Sequence, residues 1–165
     1  GLPGEVEMGD LIVAEKSWDW QSGKWTDAGF EQAPDQKEGS NELVAQAKSL
    51  EGSALEIMRT CIEHKNPGSI PKFKFGPMLT GSAVVTDEQL HSMFAAQHRK
   101  AIAVDMECYG VYYAAYYAEE PKPLFLCLKT VADLSGAAKG KEFQKYGSAL
   151  SAEVAARALL NHFGT

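Results

Sequence analysis

The chain has 165 residues, 45% of them hydrophobic and 23% charged, which is enough apolar material for one sizeable core and too little length for two ordinary domains. A formal net charge of -6 argues against the basic face that nucleic acid or an anionic membrane would need. No apolar run reaches the roughly 18 residues of a membrane span, and residues 1–10 lack the charged and apolar regions of a secretory leader. A single cytoplasmic domain with small-molecule or protein partners is therefore expected.

Asp10–Ala14 (DLIVA), entered through Gly9, is short and β-branched and reads as a strand buried on both faces. The stretch from Trp18 to Gly39 holds Trp18, Trp20, Trp25 and Phe30 among glycines and charges. It reads as a long loop, a length that inside a compact domain signals a functional or interface role. From Ser40 to His64, Leu43, Val44, Ala47, Leu50, Leu55, Ile57, Met58 and Ile62 follow a helical period, with a break expected near Gly52 and an end at Asn66-Pro67-Gly68. Phe73–Val85 reads as extended chain, and Thr86–Gln89 forms a T-x-x-Q capping box that should open a short helix.

Ala101–Met106 (AIAVDM) is a second compact apolar run, followed by a helix over Cys108–Ala118 that Pro121 and Pro123 close. Leu124–Ala132 (LFLCLKTVA) is the most strand-like stretch, leaving the sheet at Asp133, Ser135 and Gly136. The last element, Glu142–Phe163, is an alanine-rich amphipathic helix with Phe143, Leu150, Val154 and Ala158 at helical intervals. Strands alternating with helices predict an α/β fold with a largely parallel sheet, which gathers ligands at the C-terminal ends of its strands. Two acids stand at such ends, Glu107 and Asp133.

Cys61, Cys108 and Cys127 are widely spaced and lack a C-x-x-C pair, as free thiols in a reducing compartment would be. Cys61 and His64 have C-x-x-H spacing without a second ligand pair, so no metal is expected. His91, His98 and His162 read as exposed helix residues. No dinucleotide fingerprint, Walker A lysine or G-x-S-x-G element occurs, which counts against those motif-defined classes and leaves no cofactor to expect.

Four blocks carry a resemblance: GEVEMGDLIVAEKS (Gly4–Ser17), GPMLTGSAVV (Gly76–Val85), AVDMECYGV (Ala103–Val111) and LCLKTVADLSG (Leu126–Gly136). In this order and spacing they resemble consecutive blocks of the purine nucleoside phosphorylase and methylthioadenosine/S-adenosylhomocysteine nucleosidase superfamily. The resemblance implies a three-layer α/β domain with a parallel or mixed central sheet flanked by helices. It covers residue 4 to the C-terminal helix. The first part of such a domain, with its glycine-rich loop and an arginine, has no counterpart here, so the chain is expected to be the later portion of a single domain whose N-terminal strands lie elsewhere.

The resemblance also implies the cleavage of the N-glycosidic bond of a purine nucleoside or nucleotide by water or by phosphate. Glu107 is implied as the ligand of the ribose hydroxyls, with Met106 against the sugar. A carboxylate there orients the hydroxyls and stabilises the positive charge that grows on the ribose; without the family, the commoner reading of Glu107 is a first-turn helix acid. Asp133 is implied as the catalytic acid that protonates the departing purine, and burial beside an apolar strand should raise its pKa. Its ordinary reading is a turn-capping aspartate. Ala132 stands where the nucleosidases often have serine, a support that Ser135 could supply. Val84 and Val85 are implied against the base, or else are core residues. Lys139 and Lys141 read as a substrate-phosphate contact or as a solvated basic turn.

The segment KEFQKYGSALSAEVAARALL after this block resembles nucleosidase-like domains joined to signalling or defence modules. A nucleotide-responsive signalling effector domain is thus one alternative function, and a noncatalytic binding or scaffold domain that kept the fold is another. The tryptophans of residues 18–39, with Trp20 and Trp25 foremost and Phe30 behind them, are expected at a homodimer contact or a higher assembly of dimers, or else over the chain's own core.

Overall fold

The computed structural model describes residues 1–83, 89–134 and 142–164, with the side chains of residues 89–91 left aside. Val84, Val85, Thr86, Ser135, Lys139 and Lys141, and the side chain of His91, lie outside the described residues.

The strands are β1 (Leu11–Asp19), β2 (Gly23–Thr26), β3 (Gly29–Gln32), β4 (Lys37–Glu38), β5 (Phe73–Thr80), β6 (Ala103–Asp105) and β7 (Cys127–Thr130). The helices are α1 (Asn41–Ser49), α2 (Ala54–Thr60), α3 (Gln89–Gln97), α4 (Cys108–Tyr116) and α5 (Gln144–Phe163), with a 3-10 turn over Glu51–Ser53 between α1 and α2. That turn is the break expected at Gly52. The order of the central sheet is β4-β1-β5-β6, and β7 also pairs with β1.

β1 is central because four consecutive apolar residues serve two faces. Leu11 and Val13 enter a cluster with Ala47 and Leu50 on the α1 side, Ile57 of α2, and Tyr146, Leu150 and Val154 of α5. Ile12 and Ala14 point the other way, with Met78, Ala103, Cys108 and Tyr112, as the two-residue alternation of a strand requires. The result is three layers: α1, α2 and α5 on one face, the sheet, and α4 on the other. Gly164 closes α5 in the left-handed conformation with φ 72° and its N–H on the Leu160 carbonyl, a position suited to a residue without Cβ.

One expectation is made definite and two change. First, the sheet is mixed, one of the two kinds the resemblance implies: β1–β5 and β5–β6 are parallel, while β1–β4 and β1–β7 are antiparallel. After α4 the chain crosses residues 117–126 without helix or strand, where Pro121 and Pro123 deny it a helical course, and enters the sheet against the direction of β1.

Second, residues 18–39 are not one loop. β1 runs on through Trp18, whose ring is fully buried with Leu79 and Phe94, so Trp18 faces its own core. Trp20 meets Phe94 edge-on at 5.3 Å. Trp25 belongs to the β2–β3 hairpin, opposite Phe30 in the antiparallel register, and is 82% exposed; it alone of the three tryptophans keeps a large free face. Third, His98 follows α3 and stacks on Trp18 at 5.5 Å, where burial lowers its pKa; it is not an exposed helix residue.

Candidate active site

β6 is a short strand that hands its last residue, Asp105, straight to a tight connection through Met106 and Glu107 into α4. β7 ends at Thr130, and its ladder is prolonged by two backbone bonds: Gly9 N–H to the Val131 carbonyl at 2.9 Å and Val131 N–H to the Asp10 carbonyl at 2.8 Å. These bonds bring Ala132 and Asp133 alongside the first turn of the β6–α4 connection. Between the two segments lies a cavity of about 450 Å³, with Ile12, Met78 and Ala103 as its apolar base and Met106, Glu107, Lys129 and Asp133 among the groups around it. That volume suits a small organic ligand.

Of the residues expected at the site, Met106, Glu107 and Asp133 thus share one cavity. Met106 is half exposed and the Glu107 side chain is 66% exposed, so both offer surface to an incoming molecule. Asp133 is half-buried. Its carbonyl accepts a hydrogen bond from the Gly1 nitrogen at 2.9 Å.

Beneath Glu107 lies a line of buried polar groups, Asp105, Thr80 and Ser17, with the half-buried Lys129 beside it. Asp105 Oδ1 accepts from Thr80 Oγ1 at 2.7 Å and Oδ2 accepts from the Cys108 N–H at 2.9 Å. Thr80 Oγ1 accepts from the Tyr109 N–H at 2.9 Å and sits 3.2 Å from Ser17 Oγ. Lys129 Nζ reaches both acids, 2.8 Å from Asp105 Oδ2 and 2.5 Å from Glu107 Oε2. Burial opposes the charge of Lys129, and the hydrogen bonds to Asp105 and Glu107 outweigh it, holding the ammonium above the ordinary lysine range. The Cys108 thiol is raised by its hydrogen bond to Cys127 and by burial, which removes it as a nucleophile at neutral pH.

Asp105, Lys129 and Thr80 were missed in the sequence reading, although a signal existed. Asp105 interrupts AIAVDM and Lys129 interrupts LFLCLKTVA; charges inside runs destined for a sheet must find partners, and these two find each other. Among the described residues, no group of three or more His, Cys, Asp or Glu side chains could hold a metal ion, and no helix is long and apolar enough to cross a membrane. Cys61 is buried, and His64 lies 3.6 Å from Glu63.

Compared with known families, residues 1–163 match the model of the phosphorylase superfamily. The chain belongs to the phosphorylase superfamily. A relative in Sinorhizobium fredii, the uncharacterized protein y4jS, is 32% identical over 161 residues, which are 94% of this chain and 39% of the relative. Three solved nucleosidases share the superfamily fold. The 5'-methylthioadenosine/S-adenosylhomocysteine nucleosidase of Neisseria meningitidis, in complex with methylthio-immucillin-A, superposes with a TM-score of 0.71 at 18% identity over 98% of this chain and 65% of its own. The putative one of Francisella philomiragia gives 0.71 at 20% identity over 96% and 64%. That of Helicobacter pylori, with 5'-methylthioadenosine in the active site, gives 0.65 at 20% identity over 98% and 63%. At these identities the likeness is one of fold, and the chain spans less than two thirds of the length of each of these relatives.

Proposed function

We propose that the protein to which this superfamily domain belongs cleaves the N-glycosidic bond of a purine nucleoside or nucleotide, with water or phosphate as the acceptor. The observation that carries the reading is the convergence of Met106, Glu107 and Asp133 on one cavity from two segments far apart in the sequence. Such a cleavage separates charge: the ribose becomes cationic as the base departs with the bonding electrons. Glu107, an exposed carboxylate at the start of α4, accepts hydrogen bonds from the ribose hydroxyls and stabilises the cationic sugar. Met106 lies against the sugar. Asp133 donates a proton to a purine ring nitrogen so that the base leaves neutral. Val84 and Val85 line the base and Ser135 supports Asp133, in the part of the site beyond the described residues. Assembly as a homodimer, with Trp25 at the contact, completes the reading.

A second reading, a nucleotide-responsive effector domain, is favoured by one observation. The matched segment makes up 39% of the Sinorhizobium relative but 65% of the Neisseria nucleosidase, so that relative carries further chain beyond a nucleosidase's length. The test incubates the full-length protein with adenosine, methylthioadenosine, S-adenosylhomocysteine, AMP and ATP, with and without phosphate, and quantifies free base by chromatography. Base release from at least one substrate is expected; its dependence on phosphate assigns the acceptor. Binding without base release would support the effector reading instead.

A further inference from the structure

Asp105 carries a charge where charge is costly. Its side chain is 6% exposed, and a carboxylate at that depth persists only with donors around it. Its donors are the Thr80 hydroxyl, the Cys108 N–H and the Lys129 ammonium. All three bonds matter beyond solvation. The first N–H groups of a helix lack intrahelical partners and are ordinarily met by the side chain at the N-cap. The N-cap of α4 is Glu107, and its side chain makes no capping bond. Asp105 takes the Cys108 N–H, and Thr80, held by Asp105, takes that of Tyr109. Glu107 is thereby free to extend to the cavity.

The third bond sets the charge beside the sugar. Lys129 is shared between Asp105 and Glu107, so two carboxylates and one ammonium leave the cluster net negative. With Asp105 neutral, one ammonium would face one carboxylate, tighten on Glu107 and cancel its charge.

We propose that Asp105 is a positioning residue for the glycoside chemistry: it caps α4 in place of Glu107 and draws on the Lys129 charge, which leaves the Glu107 carboxylate directed at the ribose with negative charge to spare. The proposal rests on the reading of Glu107 given above. Its effect belongs to the transition state, because the sugar is neutral in the ground state and cationic as the bond breaks.

The experiment measures kcat, KM and thermal midpoint for the full-length protein with whichever nucleoside it cleaves, in the wild type, Asp105→Asn, Asp105→Glu, Glu107→Gln and the double variant Asp105→Asn/Lys129→Gln. Asp105→Asn keeps an acceptor for the Cys108 N–H, so its kcat should fall about 10- to 100-fold while KM changes less than about threefold. Asp105→Glu keeps the charge and should recover kcat to within about fivefold of the wild type. The double variant leaves Glu107 with the same net charge as the original cluster and, like other paired charges removed together, should fold. It should regain at least about tenfold in kcat over Asp105→Asn or, if that single variant does not fold, stay within about tenfold of the wild type. A wild-type kcat in Asp105→Asn alongside an impaired Glu107→Gln would overturn the proposal and spare the reading of Glu107. So would an Asp105→Glu variant as slow as the asparagine, or a double variant that falls short of its stated recovery. An unimpaired Glu107→Gln, or a wild type that releases no base, would overturn the reading itself and the proposal with it.

Discussion

The ground beneath Glu107 differs from that beneath Asp133. At the β6–α4 connection the backbone on either side of Glu107 is tied to three other strands: Thr80 of β5 binds Asp105 and the Tyr109 N–H, Ser17 of β1 touches Thr80, and Lys129 of β7 spans Asp105 and Glu107. Beyond β7, the segment that carries Asp133 is anchored through backbone bonds at Val131 and at the Asp133 carbonyl. A carboxylate that must meet a developing charge gains from fixed geometry, since preorganised groups stabilise a transition state without reorganising. A proton donor needs reach and the right protonation state. On the proposed assignment, the ribose side is therefore built into the sheet, and the base side is carried on a segment leaving it.

The largest effect expected of this contrast lies at Asp133. Asp133→Asn fills the same space without an acidic proton, so single-turnover base release should slow by about 10²- to 10⁴-fold while calorimetric affinity for the nucleoside stays near the wild-type value. Near-normal turnover would remove Asp133 as the acid. Glu107→Gln should weaken both binding and turnover, because in the proposed role the carboxylate meets the ribose in the ground state and the transition state alike. The loss of one charged hydrogen bond sets kcat/KM lower by about 10- to 100-fold, and an effect confined to KM would contradict the proposed role.

A smaller effect separates foundation from chemistry. The Tyr112 hydroxyl donates to the Ala14 carbonyl at 2.5 Å and accepts from the Cys127 N–H at 2.9 Å, joining β1 to the start of β7 where a ladder bond would lie. Tyr112→Phe leaves both backbone groups unpaired, and urea denaturation should show a loss of about 1–3 kcal/mol with kcat/KM little changed. The smallest stability effect is expected at the hairpin. Trp25→Ser should alter stability by no more than about 0.5 kcal/mol yet shift sedimentation toward the monomer, whereas Trp20→Ser should cost stability, since Trp20 lies on Phe94 within its own chain. An unchanged oligomer in Trp25→Ser would remove that ring from the contact.

Much of this was legible in the residues. The runs DLIVA and AIAVDM mark β1 and β6 because β-branched residues in short apolar stretches suit only a buried strand, and the break at Gly52 appears where the helical period fails. The grouping of Met106, Glu107 and Asp133 came from the order of the family blocks, and the cavity brings the three together. What was hidden depends on long-range pairing. The direction of β7 is decided by how residues 117–126 cross the sheet, and period-two alternation is the same for either direction. The β2–β3 hairpin was concealed by strands of four residues rich in glycine and charge, while Trp18 was assigned to the loop because β1 keeps its ladder beyond the polar pair Glu15 and Lys16. Asp105 and Lys129 each stand out as a charge inside an apolar run, but only the fold shows that they pair, 2.8 Å apart.

The most direct test of the central claim is a crystal structure of the full-length protein with a nonhydrolysable purine nucleoside analogue. The ribose hydroxyls are expected within hydrogen-bond distance of the Glu107 carboxylate, Met106 against the sugar, and the Asp133 carboxyl within the same distance of a purine ring nitrogen. An analogue seated away from this cavity, or bound in it with neither acid in contact, would contradict that claim.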